Sequence, residues 1–141
     1  MSDVLVIDAS VWVAAFDPSE VDYAASVAFL RAVDGSGTRL AIPAFGIVET
    51  GCAIARRTGS RETAEQATRT MVSNTRLSVV PLRDEILTLA LDIGIGRRLR
   101  GADAVYAATA ASIGGGLITW DRELLERADG LTPTSWADAQ A

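Results

Sequence analysis

Four acidic residues lie at positions where a solvated carboxylate is not expected, and two of them come directly after apolar runs. Asp8 follows the run 4–7, and Asp121 follows the run 117–120. In open parallel sheets, ligands bind outside the carboxyl ends of the strands, so these two acids are candidates for a binding site. For either residue alone, capping of the helix that follows is the better explanation.

The other two acids, Glu49 and Asp103, fall within predicted helices. The neighbours of Glu49 one helical turn away are apolar or small, namely Phe45, Gly46, Cys52 and Ala53. A carboxylate on such a face either takes up a proton or meets a cation from elsewhere in the fold. An arginine distant in sequence is the simpler candidate for that cation. Asp103 opens the most apolar helix of the chain, where N-capping is the simpler explanation.

The composition narrows the chemistry that these acids could do. Among 141 residues there is no histidine, and all 13 basic residues are arginine. These absences exclude a Ser-His-Asp triad, a histidine-rich zinc site, a Schiff base and a Walker-type phosphate site. Cys52 is the single cysteine, so the chain has neither an internal disulfide nor a cysteine cluster. We expect Cys52 to be a small core residue.

The four carboxylates would converge if the strand ends and the helix starts share one edge of the sheet. Their like charges would then repel strongly, and the chain has no lysine to neutralise them. Oxygen ligands without histidine or cysteine select a hard cation, Mg²⁺ or Mn²⁺. Such a site suits the hydrolysis of phosphodiester bonds by a metal-activated water.

The elements that must position these residues alternate between strands and helices, which predicts one α/β domain over residues 1–141 with a parallel sheet. We predict strands at 4–7, 40–42, 77–82, 117–120 and 131–134, and helices at 21–33, 44–57, 61–74, 84–98, 102–113 and 122–128. No signal peptide and no apolar run of roughly 18 residues is present, so we expect a cytoplasmic protein with no membrane partner. The net charge of -5 argues against coating nucleic acid by bulk charge, although a local arginine patch could hold phosphates.

The sequence resembles the PIN domain family and, within it, the VapC type of toxin ribonuclease. The matching segments are 6–13, 43–49, 99–110 and 117–124. The order and separation of these segments along the whole chain carry the resemblance, because each short acidic motif is common by itself.

The resemblance implies a three-layer α/β/α sandwich around a central parallel sheet of four or five strands. It implies an RNA-cleaving pocket that binds Mg²⁺ (or Mn²⁺), and a homodimer silenced by a small antitoxin lying across that pocket. The expected catalytic and metal-binding residues are Asp8, Glu49, Asp103 and Asp121, with Ser10 and Thr119 as supporting hydroxyls.

Arginine and tryptophan side chains near these acids are candidates for RNA contacts. They are Arg97, Arg98, Arg100, Trp12 and Trp120. Arginines grip phosphate backbones, and unpaired bases stack on aromatic rings. The alternative for Arg97 and Arg98 is a basic helix end matched to its own dipole. The alternative for the two tryptophans is burial, which is the commoner fate of this residue in an apolar segment.

Two other functions remain open from the sequence. One is a housekeeping nuclease of RNA maturation or DNA repair on the same fold. The other is a non-catalytic binding module, in which the acids only cap helices.

Overall fold

The structure is a computed structural model that describes residues 3–131, and its centre is a parallel β-sheet. The strands within this range are β1 (Val4–Ile7), β2 (Arg39–Pro43), β3 (Leu77–Val80) and β4 (Gly116–Ile118), in the order β3-β2-β1-β4. The helices are α1 (Ala9–Phe16), α2 (Tyr23–Ser36), α3 (Ala44–Thr58), α4 (Arg61–Ser73), α5 (Asp84–Arg97), α6 (Gly101–Ile113) and α7 (Arg122–Arg127). The predicted three-layer α/β/α sandwich is confirmed, with four strands in the described part.

Burial of the central strands explains their composition. In β1, Leu5, Val6 and Ile7 are fully inaccessible to solvent, as expected for a continuous apolar run covered by helices on both faces of a parallel sheet. The register pairs Val6 with Ala41 of β2 and with Leu117 of β4.

No helix between residues 3 and 131 is long and apolar enough to cross a membrane.

Glycines in the left-handed conformation set where several helices end. The helix predicted at 21–33 corresponds to α2, which continues to Ser36 and stops only at Gly37, whose φ is 81°. Gly37 is the position of the left-handed C-cap, so the helix extends to it. Gly59 and Gly114, both with φ 66°, end α3 and α6 in the same way.

Two predicted strands are shorter in the structure, and one cannot be compared. β3 ends at Val80, before Pro81, and β4 ends at Ile118, because the Thr119 side chain turns the chain toward α7. The strand predicted at 131–134 lies outside the described residues, except for Leu131.

The carboxyl ends of β1 and β4 lie side by side. Ile7 is the register partner of Ile118, and the Asp8 N–H donates to the Ile118 carbonyl at 2.9 Å. The residues that leave these two strands are therefore neighbours in space, although more than a hundred positions separate them in sequence. This edge of the sheet is where the predicted site should lie.

Candidate active site

Asp8 is held at the junction of β1 and α1 by two donors to one carboxylate oxygen. Thr119 Oγ1 donates to Asp8 Oδ2 at 2.8 Å, and the Ser10 N–H donates to the same oxygen at 3.4 Å. The Asp8 side chain caps α1, as the capping alternative stated, and is 7% exposed. Because the bonds that orient it use Oδ2, this cap does not conflict with a role for Asp8 in binding a cation.

The two predicted supporting hydroxyls link the start of α1 to the turn after β4. Ser10 Oγ lies 3.3 Å from Thr119 Oγ1, which also accepts from the Asp121 N–H at 3.0 Å. The Thr119 proton is directed to Asp8, so Ser10 must be the donor in the hydroxyl pair. Ser10 Oγ in turn accepts from the Trp120 N–H at 3.1 Å. Both hydroxyls therefore support the carboxylates structurally.

Asp121 caps α7 in the manner that the sequence suggested. Its Oδ1 accepts from the Glu123 N–H at 2.9 Å and from the Leu124 N–H at 3.3 Å. Both bonds use the same oxygen. As with Asp8, capping fixes the orientation of the carboxylate at the edge of the sheet.

Asp103 behaves differently from the two capping aspartates. The N-cap of α6 is Arg100 and makes no side-chain cap bond, so the expectation that Asp103 caps this helix is wrong. Its Oδ2 is buried and has no hydrogen-bond partner within residues 3–131. Burial and the charges of Asp121 and Asp8 raise the pKa of Asp103 to about 6, and Arg100 offsets only part of this effect. A buried carboxylate oxygen without a donor is costly, and a cation would relieve that cost.

Glu49 lies half-buried on α3 and accepts a hydrogen bond from a phenol. Tyr106 Oη donates to Glu49 Oε1 at 2.8 Å. The partner of Glu49 in the described structure is therefore a tyrosine, and the expectation that a distant arginine pairs with it is wrong. Burial raises the pKa of Glu49, the Tyr106 bond lowers it, and the charges of Asp8 and Asp103 raise it further. Glu49 therefore shares one electrostatic environment with two of the other predicted acids.

Tyr106 is the residue at this site that the sequence reasoning missed. It is 1% exposed on α6, and burial together with the charges of Asp8 and Glu49 raises its pKa, so the phenol stays protonated and donates. Its position three residues after Asp103 places both side chains on the same face of α6. That spacing places Tyr106 on the helix face of Asp103, but it does not reveal the contact with Glu49, which is 57 positions away in sequence.

The donor set fits a hard divalent cation that retains much of its water. No group of three or more acidic or cysteine side chains between residues 3 and 131 is arranged to hold an ion by direct contacts alone. Mg²⁺ usually keeps several waters and takes only one or two carboxylates directly, so the other acids would act through water. The unpartnered buried Oδ2 of Asp103, a residue on which the charges of Asp8 and Asp121 act, is the structural observation that fits such an ion.

Arg100 is the predicted RNA contact that lies beside the acids. Its guanidinium pairs with Glu123 at 2.6 Å and is 69% exposed. The hydrogen bond to Glu123 and the charge of this residue are the main causes of the raised pKa of Arg100. The charges of Asp103 and Asp121 raise that pKa further. Arg100 is thus an exposed cation at the rim of the carboxylate cluster.

Arg97 and Arg98 have structural roles at the end of α5. Arg97 Nη1 donates to the carbonyls of Arg127 at 3.1 Å and Asp129 at 2.8 Å, which ties α5 to the chain after α7. Arg98 is the left-handed C-cap of α5, with φ 57°, and its carbonyl accepts from Arg127. The Arg97 side chain is thus engaged in a structural contact, whereas the prediction of an RNA contact for the Arg98 side chain stays a prediction.

The tryptophans differ in accessibility. Trp12 is 4% exposed in the core, so an RNA base cannot stack on it and the prediction of an RNA contact there is wrong. Trp120 is half-buried, and its Nε1 donates to Ser26 Oγ at 2.8 Å. It lines a cleft of about 280 Å³ that also contains Ser10 and Glu49. The core position expected for Cys52 is wrong as well, because this cysteine is exposed.

Comparison with known proteins agrees with this architecture. The PIN domain family model matches residues 5–131. PAE2754 from Pyrobaculum aerophilum is similar, with 25% identity and a TM-score of 0.67 over 96% of this chain and 91% of that one. VapC20 from Mycobacterium tuberculosis, a toxin that cleaves the sarcin-ricin loop, has 17% identity and a TM-score of 0.72 over 86% and 93% of the two chains. VapBC2 from Rickettsia felis, bound to a promoter DNA fragment, has 14% identity and a TM-score of 0.71 over 94% and 98%.

No curated protein matches the sequence. The family match covers nearly all of the described residues and includes all four predicted acids, and the VapC-type structures have the same fold at low identity. The chain therefore belongs to the PIN domain family.

Proposed function

We propose that this PIN domain protein is a cytoplasmic endoribonuclease that uses Mg²⁺ (or Mn²⁺) to hydrolyse RNA phosphodiester bonds, as the toxin of a toxin–antitoxin pair. The observation that carries the proposal is the buried, unpartnered Oδ2 of Asp103 in the field of Asp8 and Asp121. A folded protein gains nothing from this arrangement unless a cation joins it.

Each acid has its own part in holding the cation. Asp103 offers the free oxygen, while the capping bonds of Asp8 and Asp121 keep their carboxylates in fixed orientations. Glu49 adds a fourth negative charge from α3. A divalent cation bound among these groups supplies neutralisation of phosphate charge and activation of water.

Arg100 supports the assignment of a nucleic acid substrate. Its exposed guanidinium, held by Glu123 at the rim of the acids, could exchange that partner for a backbone phosphate. RNA as the substrate, and the toxin role, are supported by the likeness to VapC20, which cleaves the sarcin-ricin loop. The similarity to VapBC2 and to FitAcB from Neisseria gonorrhoeae supports a small antitoxin as the partner.

A homodimer is part of the proposal, and α5 carries the surface for it. Leu87, Leu91 and Ile95 are 45%, 64% and 72% exposed and form one apolar stripe along this helix. Leu91 is midway in sequence between Leu87 and Ile95, and it is also midway between Asp84 and Arg98.

This spacing makes the α5 stripe complementary to itself. When two copies of α5 pack antiparallel about a two-fold axis at Leu91, Leu87 meets Ile95 of the partner subunit. The same axis brings Asp84 at one helix end to Arg98 at the other end of the second copy. The apolar contacts and the opposite charges are therefore both satisfied in the same antiparallel alignment. This favours a second copy of this chain as the partner that covers the α5 stripe.

A non-catalytic module is the second candidate, because the capping bonds of Asp8 and Asp121 would serve it equally well. Asp103 favours the nuclease over the binding module, because its side chain does not cap a helix. The test incubates the purified protein with RNA and Mn²⁺ or Mg²⁺, with and without chelator, beside Asp8→Asn and the exposed control Asp92→Asn. We expect cleavage by wild type and Asp92→Asn only. Equal cleavage by wild type and Asp8→Asn, or none by wild type, would contradict the nuclease.

Expression in a bacterial host separates the toxin from a housekeeping nuclease. A toxin should arrest growth, and co-expression of a small neighbouring gene should relieve the arrest. Harmless expression of a protein that cleaves RNA in vitro would favour the housekeeping role.

A further inference from the structure

The contact between Tyr106 and Glu49 joins α6 to α3 inside the site. The tyrosine ring is 1% exposed and packs on Phe45, with ring centroids 5.3 Å apart at an angle of 53°. Its hydroxyl donates to Glu49 Oε1 at 2.8 Å. Because packing fixes the ring, the phenol oxygen has a fixed position, and its bond holds Oε1 of the Glu49 carboxylate at that point.

Gly46 gives the phenol its access to Glu49. A Cβ at this position would lie 2.7 Å from Tyr106 Oη and 2.6 Å from Ile42 Cγ1, distances that real side chains do not tolerate. The same turn of α3 is pinned by Thr50, whose buried hydroxyl donates to the Gly46 carbonyl at 2.8 Å. A glycine within a helix lowers helix stability relative to alanine, so its presence at the point where the hydroxyl passes indicates a packing requirement.

The chemistry of the donor is as informative as its geometry. The charged groups that act on Glu49 from other elements are Asp8 and Asp103, and both are negative. An arginine in place of the phenol would satisfy Glu49 but would also cancel the negative charge that attracts a divalent cation. A neutral phenol orients the carboxylate and leaves its full charge in place.

We propose that Tyr106 is a positioning residue, which directs the Glu49 carboxylate toward the divalent cation while preserving its charge, and that Gly46 provides the space for it. Because this bond uses Oε1, Oε2 would be the atom available to the cation or to its water. This inference rests on the proposed metal-dependent function. It assigns to Tyr106 the same kind of role that hydrogen-bonded partners of metal ligands have elsewhere.

The test measures Mn²⁺ affinity by titration calorimetry, so that it does not depend on nuclease activity. Tyr106→Phe keeps the ring and its packing on Phe45 but removes the donor, and we expect it to bind Mn²⁺ about ten-fold more weakly. Gly46→Ala should weaken binding in the same direction while Tyr106 is still present. Tyr23→Phe, on α2, is the control and should bind as wild type does. Circular dichroism and melting verify that each variant folds.

A double-mutant cycle separates positioning from general structural damage. In a Glu49→Gln background, Tyr106→Phe should weaken Mn²⁺ binding no further, because its effect acts through the Glu49 carboxylate. In the RNA assay, Tyr106→Phe should lower kcat and leave KM nearly unchanged.

The possible failures are distinguishable. If wild type binds no Mn²⁺, both the proposed function and this inference are overturned. If wild type binds Mn²⁺ but Tyr106→Phe binds it equally well, or loses affinity equally in the Glu49→Gln background, the positioning role is overturned and the metal site stands.

Discussion

Thr119 donates its hydroxyl proton to Asp8 Oδ2 at 2.8 Å, across 111 positions of sequence. Thr119 is completely buried, and its oxygen also accepts from the Asp121 N–H at 3.0 Å. One hydroxyl therefore links two of the predicted acids, one after each of two neighbouring strands. Asp121 is held by local capping bonds, whereas the orientation of Asp8 depends on a hydroxyl that follows β4. The pairing of β1 with β4 therefore brings the two acids to one edge of the sheet.

Replacing Thr119 with valine should damage both stability and activity. Thr119→Val has nearly the same shape but removes a donor to a buried carboxylate and an acceptor for a backbone N–H. We expect a loss of about 1–3 kcal/mol in the free energy of unfolding, measured with urea, and a large fall in RNA cleavage. Thr119→Ser keeps the hydroxyl and is the matched control. Equal behaviour of the two variants would show that the hydroxyl does not organise Asp8.

Asp103 should make the stability of the metal-free protein depend on pH. Its pKa is about 6 in the folded protein and 3.8 as the ordinary value, so between these values the folded state binds more protons. The stability that this group contributes is therefore present below about pH 4 and is lost as the pH rises through 6. With chelator at neutral pH, Asp103→Asn should raise the free energy of unfolding by about 1–2 kcal/mol, after allowance for its partial exposure.

The measurement compares urea unfolding of wild type and Asp103→Asn near pH 7 and near pH 4.5. The gain from the substitution should shrink at the lower pH, where wild-type Asp103 is largely protonated in the folded state. Asp92→Asn, on the exposed face of α5, serves as the control and should give no such trend. A gain of equal size at both pH values would contradict the assigned cause.

Mn²⁺ should stabilise the folded protein by mass action. A cation at one hundred times its Kd adds about 2.7 kcal/mol, which raises Tm by about 5–10 °C for a chain of this size. Asp8→Asn should lose most of this increase, because it removes one of the negative charges that act on Asp103. Differential scanning fluorimetry with and without Mn²⁺ measures the effect. An unchanged wild-type Tm at millimolar Mn²⁺ would contradict the metal site.

The sequence was sufficient to predict which residues lie together at the candidate site where their positions follow from strand order. Asp8 and Asp121 could be identified because apolar runs mark the strands and parallel strands end at one edge of the sheet. Tyr106 could not, since a tyrosine in an apolar helix has the appearance of a core residue. Its contact with Glu49 depends on how closely α6 approaches α3, a distance that Gly46 sets and that no local pattern reveals.

Proximity in sequence was a poor guide to the residues around the acids. Trp12 is four residues after Asp8, yet it packs in the core and lines a different cavity, with Phe16 and Leu30. Arg97 precedes Asp103 by six residues but donates to carbonyls after α7. In both cases, the contacts of the side chain depend on the side of the helix from which it projects. Packing against elements distant in the chain determines what lies on that side.

Replacing Leu91 with arginine should separate the proposed dimer. Leu91 is 64% exposed at the centre of the α5 stripe, and the two-fold axis would bring the two introduced arginines together. The substitution would remove the apolar contact at the axis, and the two like charges would repel each other there. Both changes oppose association. Val72→Arg is the matched control, because Val72 is 58% exposed on α4, away from the stripe. Light scattering after size exclusion should give a dimer for wild type and Val72→Arg and a monomer for Leu91→Arg. A monomeric wild type, or a dimeric Leu91→Arg, would show that α5 is not the interface.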